Sequence, residues 1–354
     1  MMSIDDHRRQ IDDLDGQIVA LLNERARLAA LIGREKAQEG KGPLDTAREQ
    51  AVIQAVVKRG EGPLRVQDLE AIYREVLSAC RAVQRELVVA YHGPEGSWHH
   101  AAAQRFFGSA AVFRSGHDIP AVFDAAERGQ VDYAVVAIEN SSEGQIGATL
   151  DRLVDTPLRI CAEVFVDVHH CLVGKGPLER VRRVYSIPIA LQQCANWLRQ
   201  NLPQTGWVEV ANTAEGAERA SQDEEGAAVA SREAGELRGL VALVENIEDY
   251  VGNRTRFLVM GREEPEPTGA DKTSLAASTM HKSGALHAFL APLAERGLNL
   301  TMIQSRPIKT RQWEYMFFVD LVGHRREARV AEALQAAQGQ CLFFKVLGSY
   351  PEGG

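Results

Sequence analysis

Residues 253–257 read NRTRF and run straight into the apolar stretch LVMG. Two arginines and a threonine at the mouth of a strand have two readings. Asn253, Arg254, Thr255 and Arg256 are either a solvated loop or an anion site with a hydroxyl inside it. A second polar set lies near the N-terminus. Arg25 and Lys36 stand 11 positions apart, which at about 100° per residue returns them to nearly the same side of a helix. Two long cationic side chains can then converge on one anion. Arg8 lies about 25 Å before Arg25 along the same rod, so it reaches that anion only from a second copy of the chain. Cys80 and Gln84 are one turn apart on a later helix and face one way. Arg48 and Glu49 open the helix between. A charged bundle with solvated faces is the alternative reading of this set.

These side chains need elements to hold them. In residues 5–39, Ile11, Leu14, Ile18, Leu21, Leu22, Leu28, Ala29 and Ile32 fall at helical spacing, and no proline occurs before Pro43. The pattern predicts one amphipathic helix of about 50 Å, with two more near 45–59 and 66–87. A first helix this long wants a partner to cover its apolar face. From Leu87 the texture changes. LVVAYHG, VDYAVVAIENSSEG, LRICAEVFVDVHHCLVG, RVYSI, VEVA, AAVAS and RTRFLVMG read as strands, with helical stretches at 98–107, 118–128, 190–202 and 213–220. That alternation predicts an α/β domain whose ligands collect where strands end in loops. The proline-rich, charged segment REEPEPTGADK, residues 262–272, reads as a linker. Beyond it, TSLAAST, GALHAFLAPLAERG, LNLTMIQSRP, WEYMFFVDLVG, REARVAEALQAA and CLFFKVLGSY follow the order βαββαβ of a ferredoxin-like sandwich.

A chain of 354 residues suits two or three domains, and 45% hydrophobic with 25% charged residues fits a soluble globular protein. A net charge of −8 argues against a general nucleic-acid binder while leaving room for local basic pockets. Cys80, Cys161, Cys171, Cys194 and Cys341 form no CxxC pair and no zinc spacing. They read as reduced core thiols of a cytoplasmic protein, with no metal expected. The N-terminus lacks the apolar core of a signal peptide, and no apolar run approaches the ~18 residues of a membrane helix.

Taken together and in order, these stretches carry a resemblance. RRQIDDLDGQIVALLNERARLA, GREK, DTARE and IYREVLSACRAVQ come first. VAYHGPEGS, VVAIENSSEG, QQC and NRTRFLVMG follow, and then SGALHAFLAPLAERGLNL and SRP. The chain resembles the bacterial P-protein family of bifunctional chorismate mutase–prephenate dehydratases with a C-terminal ACT domain, over nearly its whole length. The resemblance implies a multidomain fold. An all-α AroQ-type helical domain would occupy 1–87, a two-lobed α/β prephenate dehydratase domain 88–262, a linker 263–272, and a βαββαβ ferredoxin-like ACT domain 273–354. It implies an enzyme of phenylalanine biosynthesis that rearranges chorismate to prephenate, then decarboxylates and dehydrates prephenate to phenylpyruvate. L-Phenylalanine would feed back through the ACT domain, without a cofactor, in a homodimer or dimer of dimers that binds no nucleic acid or membrane. Two alternatives are a dehydratase-like domain that decarboxylates without aromatising, which the retained Thr255 argues against, and a non-catalytic amino-acid sensor, which three sets of anion-binding residues argue against.

The resemblance also assigns residues. The mutase pocket is similar to Arg8, Arg25, Lys36, Asp45, Arg48, Glu49, Cys80 and Gln84. Arginine forks suit chorismate's carboxylates, and Lys36 and Gln84 would donate to the breaking ether oxygen. Cys80 stands where the family often has serine. In the dehydratase, Thr255 would donate to the leaving hydroxyl and Arg256 would supply positive charge near the substrate's carboxylates. Ser97, Asn140, Ser141, Ser186 and Gln193 would be polar contacts. Ile187 and Ile189 stand where the family has histidine and glutamine, which predicts a drier cleft. In the ACT module, Gly284, Ala285, Leu286, Asn299, Leu300, Gln304, Ser305 and Arg306 would hold phenylalanine. Gln304 replaces a glutamate of the family's motif, which predicts weaker binding of the effector.

Overall fold

The helix Ile4–Gln38 (α1) runs for 35 residues and is started by Ser3. The Ser3 hydroxyl accepts from the Asp6 backbone N–H at 3.2 Å, and the Asp6 carboxylate accepts from the Ser3 N–H at 2.9 Å, a reciprocal cap that satisfies two otherwise orphaned donors. Helices Thr46–Arg59 (α2) and Val66–Ala82 (α3) follow. The computed structural model describes residues 3–308 and 314–353. Its chain clusters into two units, Met1–Val88 with Gln104–Val112, and Val89–Ala103 with Phe113–Gly354.

In the first unit α1 buries only Ala29. Ile11, Leu14, Ile18, Leu21, Leu28 and Ile32 all stay at least half exposed. Gly33 of α1 lies against Gln84, just past the end of α3. A Cβ there would meet the Gln84 side chain at 2.7 Å, so any larger residue would push the two segments apart. The buried Arg81 of α3 pairs with Glu49 of α2 and donates to the Phe107 carbonyl. Ser78 accepts from the Ala110 N–H at 3.1 Å. Residues 104–112, expected in the second domain, therefore cluster with the helices.

The second unit contains three sheets. The first has the order Val112–Gly116, Val88–His92, Tyr133–Asn140, Arg254–Gly261, Arg159–Asp167, with Gly144–Gln145 beside Tyr133–Asn140. The second has the order Val241–Val244, Cys171–Gly174, Gly226–Ala230, Arg183–Ser186, Gly206–Glu209. The chain leaves the first sheet after Asp167, builds the second, and returns as Arg254–Gly261, which pairs antiparallel with both of its neighbours. The third sheet has the order Leu300–Pro307, Tyr315–Val322, Asp271–Thr279, Cys341–Pro351. Helices Ala285–Glu295 and Ala328–Gln338 cover one of its faces around Leu275, Phe289, Leu293, Val319 and Val330. The strand expected from Trp313 is described from Tyr315; Trp313 lies outside the described residues. The expected linker is fastened, since His324 Nε2 lies 3.2 Å from the Pro265 carbonyl and Asp271 already opens a strand.

The third sheet meets the back of the first through a buried ionic cluster. Arg256 donates from Nε to Glu163 at 2.7 Å and from a terminal nitrogen to the Tyr350 hydroxyl at 2.9 Å, and its other terminal nitrogen stands 2.6 Å from Asp320. Lys272 donates to the second Glu163 oxygen at 2.7 Å. The Glu163 side chain is 0% exposed, Asp320 2%, and Arg256 and Lys272 8% each. Two cations thus face two anions, and the Ser274–Tyr350 hydroxyl pair at 2.6 Å closes the group. Charges taken out of water are tolerated only when each is matched, and removing one partner of such a set is costly. Gly348 permits the approach, because a Cβ there would lie 2.4 Å from the Ile160 carbonyl oxygen. Glu163→Ala leaves Arg256 and Lys272 beside each other without their shared anion. The expected loss is about 3–5 kcal/mol of unfolding free energy, read as a lower denaturant midpoint at unchanged slope.

Candidate active site

Successive residues of a strand point to opposite faces. Along Arg254–Gly261, Thr255 and Phe257 face a cleft of about 610 Å³, while Arg256 faces the ionic cluster behind. The cleft is lined from the first sheet's lobe by His92, Ser97, Asn140 and Thr255, and from the second lobe by Ile187, Ile189, Gln193 and Asn212.

Asn140 sits at the end of the central strand, directly opposite Thr255 in register. Its side-chain oxygen accepts from the backbone N–H groups of Ser142 at 2.9 Å and Glu143 at 3.1 Å. That fixes the amide's orientation, because backbone N–H groups can only donate. The Asn140 amide nitrogen therefore points at Thr255 Oγ1 and at Asn253 Oδ1, each at 2.8 Å. Thr255 Oγ1 is thus an acceptor on that side, and its own O–H is left to donate toward the cleft. The chain of contacts continues toward the second lobe. Asn253 reaches Gln193 Oε1 at 3.5 Å, and the same oxygen lies 2.8 Å from His170 Nε2. Gln193 Oε1 can only accept, so His170 carries its proton on Nε2. Its Nδ1 is buried without a partner.

Among the described residues the lining contains no lysine or arginine. Positive potential comes instead from N–H groups and imidazoles. Two helices begin at the cleft wall, Trp98–Phe107 after Ser97 and Thr213–Ser221 after Asn212, and helix N-termini attract anions. Asn212 caps the second by accepting from the Glu215 N–H at 2.8 Å. His99 packs edge-on against Phe257 at 5.1 Å between ring centroids, and against His92 at 5.0 Å. Burial first, and the His92 ring second, push His99 down to about 3. Burial likewise lowers His170, against the opposing Gln193 hydrogen bond. Glu143 is raised by burial, and it accepts from Gln193 Nε2 at 3.3 Å across the cleft mouth. Such a site can hold an anion with neutral donors and offer a hydroxyl hydrogen to an oxygen inside it.

Several sequence expectations find their positions here. Ser97, Asn140, Gln193 and Thr255 line one cleft, together with Ile187 and Ile189. Three expectations are corrected. Arg256 is on the opposite face of its strand, engaged by Glu163 and Asp320, so it supplies no charge to the cleft. Ser186 is fully buried and its hydroxyl donates to the Val229 carbonyl at 2.6 Å, so it belongs to the core of the second lobe. Ser141 braces the turn before the strand, accepting from the Arg254 N–H at 2.9 Å, and does not line the cleft. Sequence reading missed His92, Trp98, His99 and His170, whereas Asn253, part of the NRTRF stretch, does line the cleft. The only available signal was the pairing of histidines beside glycine turns and strand ends, in GSWHH and DVHHC.

In the helical unit, Lys36 donates to the Pro43 carbonyl at 3.2 Å, Asp45 caps α2 through the Arg48 N–H at 2.9 Å, and Cys80 is buried. Gln84 donates to the Cys80 carbonyl at 3.3 Å, and its own oxygen is buried without a partner. One oxygen of Glu49 is taken by Arg81, a residue that spacing did not single out. Arg25 is partly buried on α1, whereas Arg8 is exposed near the far end and pairs with Asp5 at 3.3 Å. In the third sheet's module, Gly284 has φ 79°, a conformation that favours glycine, and precedes the helix that begins Ala285, Leu286. Asn299 accepts from the Val322 N–H at 3.0 Å, next to Leu300. Gln304 donates to the Ser305 carbonyl at 3.1 Å, and Arg306 forks onto Asp151 at 2.6 and 2.9 Å.

Comparison with known proteins adds three family matches in order. Residues 7–85 match the family model of chorismate mutase type II, 89–265 that of prephenate dehydratase, and 275–339 that of the ACT domain. A bifunctional chorismate mutase/prephenate dehydratase of Neisseria gonorrhoeae is 42% identical over 350 residues, 98% of this chain and 96% of that protein. Among solved structures, a prephenate dehydratase from Arthrobacter aurescens in complex with L-Phe is 33% identical, with a TM-score of 0.70 over 75% of this chain and 90% of that one. GqqA, described as a novel type of quorum quenching acylase, is 28% identical, with a TM-score of 0.69 over 75% of this chain and 98% of its own.

Proposed function

The chain belongs to the family of bifunctional chorismate mutase/prephenate dehydratases, and from that membership we propose that its helices rearrange chorismate to prephenate and that its cleft converts prephenate to phenylpyruvate. The working modules are a mutase over 1–87, a dehydratase over 88–262 and an ACT module over 273–354. The observation that carries the cleft's role is the Asn140–Thr255 hydrogen bond, which frees the Thr255 O–H for a departing oxygen.

In the dehydratase reaction the bond to the ring carboxylate breaks and its electron pair completes the aromatic ring. The ring hydroxyl leaves at the same time. Hydroxide is a poor leaving group, and a hydrogen bond aimed at that oxygen lowers the barrier only if it is already in place. Asn140 supplies that order, and Ile187, Ile189 and Phe257 keep the surroundings dry. The substrate's carboxylates go to the helix starts after Ser97 and Asn212. In the mutase reaction nothing needs to be protonated. Arg25 and Lys36 hold a compact conformer of the substrate, and Lys36 with Gln84 faces the breaking ether oxygen. Arg81 orients Glu49 for the ring hydroxyl.

The half-exposed apolar stripe of α1 supports a homodimer in which a second copy covers that face and Arg8 reaches the partner's pocket. L-Phenylalanine is the effector, held around Gly284, Ala285 and Leu286 with the Asn299–Leu300 turn. Arg306 braces the module through Asp151. No helix among the described residues is long and apolar enough to cross a membrane. The five unpaired cysteines support a reducing compartment such as the cytoplasm.

Incubation of the pure protein with chorismate should yield phenylpyruvate. Arg25→Ala should abolish the rearrangement while dehydration of supplied prephenate survives, and Thr255→Ala should let prephenate accumulate. Equal loss of both activities in either folded variant would contradict two separate sites. Asn140→Asp replaces the donor to Thr255 with an acceptor of the same shape, so the hydroxyl turns to the carboxylate. The dehydratase kcat should fall by about 100-fold, the effect of losing one oriented donor, while chorismate turnover is unchanged.

A further inference from the structure

Prephenate enters the reaction with two carboxylates, and phenylpyruvate leaves with one, beside neutral carbon dioxide and water. Each turnover therefore consumes one proton. The departing oxygen carries away the electron pair of its bond to the ring and must gain that proton to leave as water. Thr255 can hold this oxygen with a hydrogen bond, but an aliphatic hydroxyl is too weak an acid to be the net source. A titratable group in the cleft can be that source.

The described lining offers five: Glu143, His92, His99, His117 and His170. Glu143 stands at the mouth and is held by Gln193 at 3.3 Å. His117 is 82% exposed beside Asp118 at 3.4 Å. His170 has its Nε2 proton committed to Gln193. His92 and His99 remain. Their rings meet edge-on at 5.0 Å, and His99 lies against Phe257, two positions along the strand from Thr255 and on the same face. His92 Nδ1 and His99 Nε2 are both buried without a hydrogen-bond partner. A buried ring nitrogen with nothing to bond is expensive unless a ligand completes it.

We propose that His99, seconded by His92, is a further catalytic residue of the dehydration: it takes up a proton when the dianionic substrate binds and gives that proton to the departing hydroxyl oxygen. The proposal rests on the dehydratase reading of the cleft. Burial and the neighbouring ring by themselves keep His99 neutral near neutral pH. A dianion within about 4–6 Å favours the charged ring, and among the described residues the lining has no lysine or arginine to compete for it. The carbon–carbon bond then breaks, its pair enters the ring, the carbon–oxygen pair leaves with oxygen, and the imidazolium proton completes water. The imidazole returns neutral and is recharged from solvent with the next substrate.

The test uses the full-length protein and supplied prephenate. His99→Gln keeps an N–H donor but cannot shuttle a proton. Its kcat should fall by roughly 100-fold, the usual contribution of a positioned acid, with a smaller change in KM. The parent's kcat should decline on the alkaline side as the acid is lost, and the variant should lack that limb. Chorismate rearrangement by the same sample reports that the chain is folded. Independently, calorimetry of prephenate binding to Thr255→Ala in buffers of different ionisation enthalpy should detect uptake of close to one proton, absent in Thr255→Ala with His99→Gln. A His99→Gln kcat within about threefold of the parent with the alkaline limb intact, or the same proton uptake in the double variant, would overturn the proposal. A parent that makes no phenylpyruvate would instead overturn the dehydratase reading itself.

Discussion

The strand Arg254–Gly261 is held from behind by charge. Arg256 and Lys272 are buried against Glu163 and Asp320, and each ion would be intolerable there without its partners. The matched set fixes where the strand lies and which way it faces. Because side chains alternate along it, fixing Arg256 behind also fixes Thr255 in front. The ion pairs draw their members from the first sheet and from the third, so the module that carries the expected effector site and the strand that carries Thr255 share one buried electrostatic unit. A large, mobile cation close to the substrate would have been a simpler way to bind a dianion. Here the guanidinium is spent on architecture.

The cleft is left to attract anions by other means. It has helix starts after Ser97 and Asn212, oriented amides, and imidazoles, beside the apolar side chains of Ile187, Ile189 and Phe257. Dipoles pre-aimed in a low-dielectric site need no reorganisation when charge develops. The Asn140 amide is the clearest case. Two backbone donors lock its oxygen, so its nitrogen has one orientation, and that in turn sets the direction of the Thr255 hydroxyl.

Much of this was legible before the fold was seen. The alternation of apolar strands and helices after Leu87 foretold an α/β region, and the order of segments after the prolines foretold the βαββαβ sheet. Thr255, Asn140 and Ser97 are readable as polar residues at strand ends or a glycine turn, while Gln193 comes only with the resemblance. The resemblance places Arg256 beside Thr255 at the substrate, but the same stretch RTRFLVMG reads as a strand, and a strand's period of two sends these neighbours to opposite sides. Ser186 and Ser141 show the same limit on a smaller scale: a hydroxyl near a site is as ready to satisfy a buried carbonyl or brace a turn as to meet a ligand. The histidine pair was invisible for another reason. His92 ends a strand and His99 sits on the helix after the next turn, and nothing in their spacing says that Phe257, more than 150 positions later, completes the group.

The central claim is that one strand presents Thr255 to the substrate and Arg256 to the fold. It is tested most directly by a crystal structure of the Thr255→Ala protein with prephenate bound. The account predicts substrate in the cleft with its ring hydroxyl directed at residue 255 and Asn140, its carboxylates at the helix starts and imidazoles, and Arg256 still on Glu163 and Asp320. A substrate carboxylate paired with Arg256, with the buried cluster opened to release it, would contradict the account.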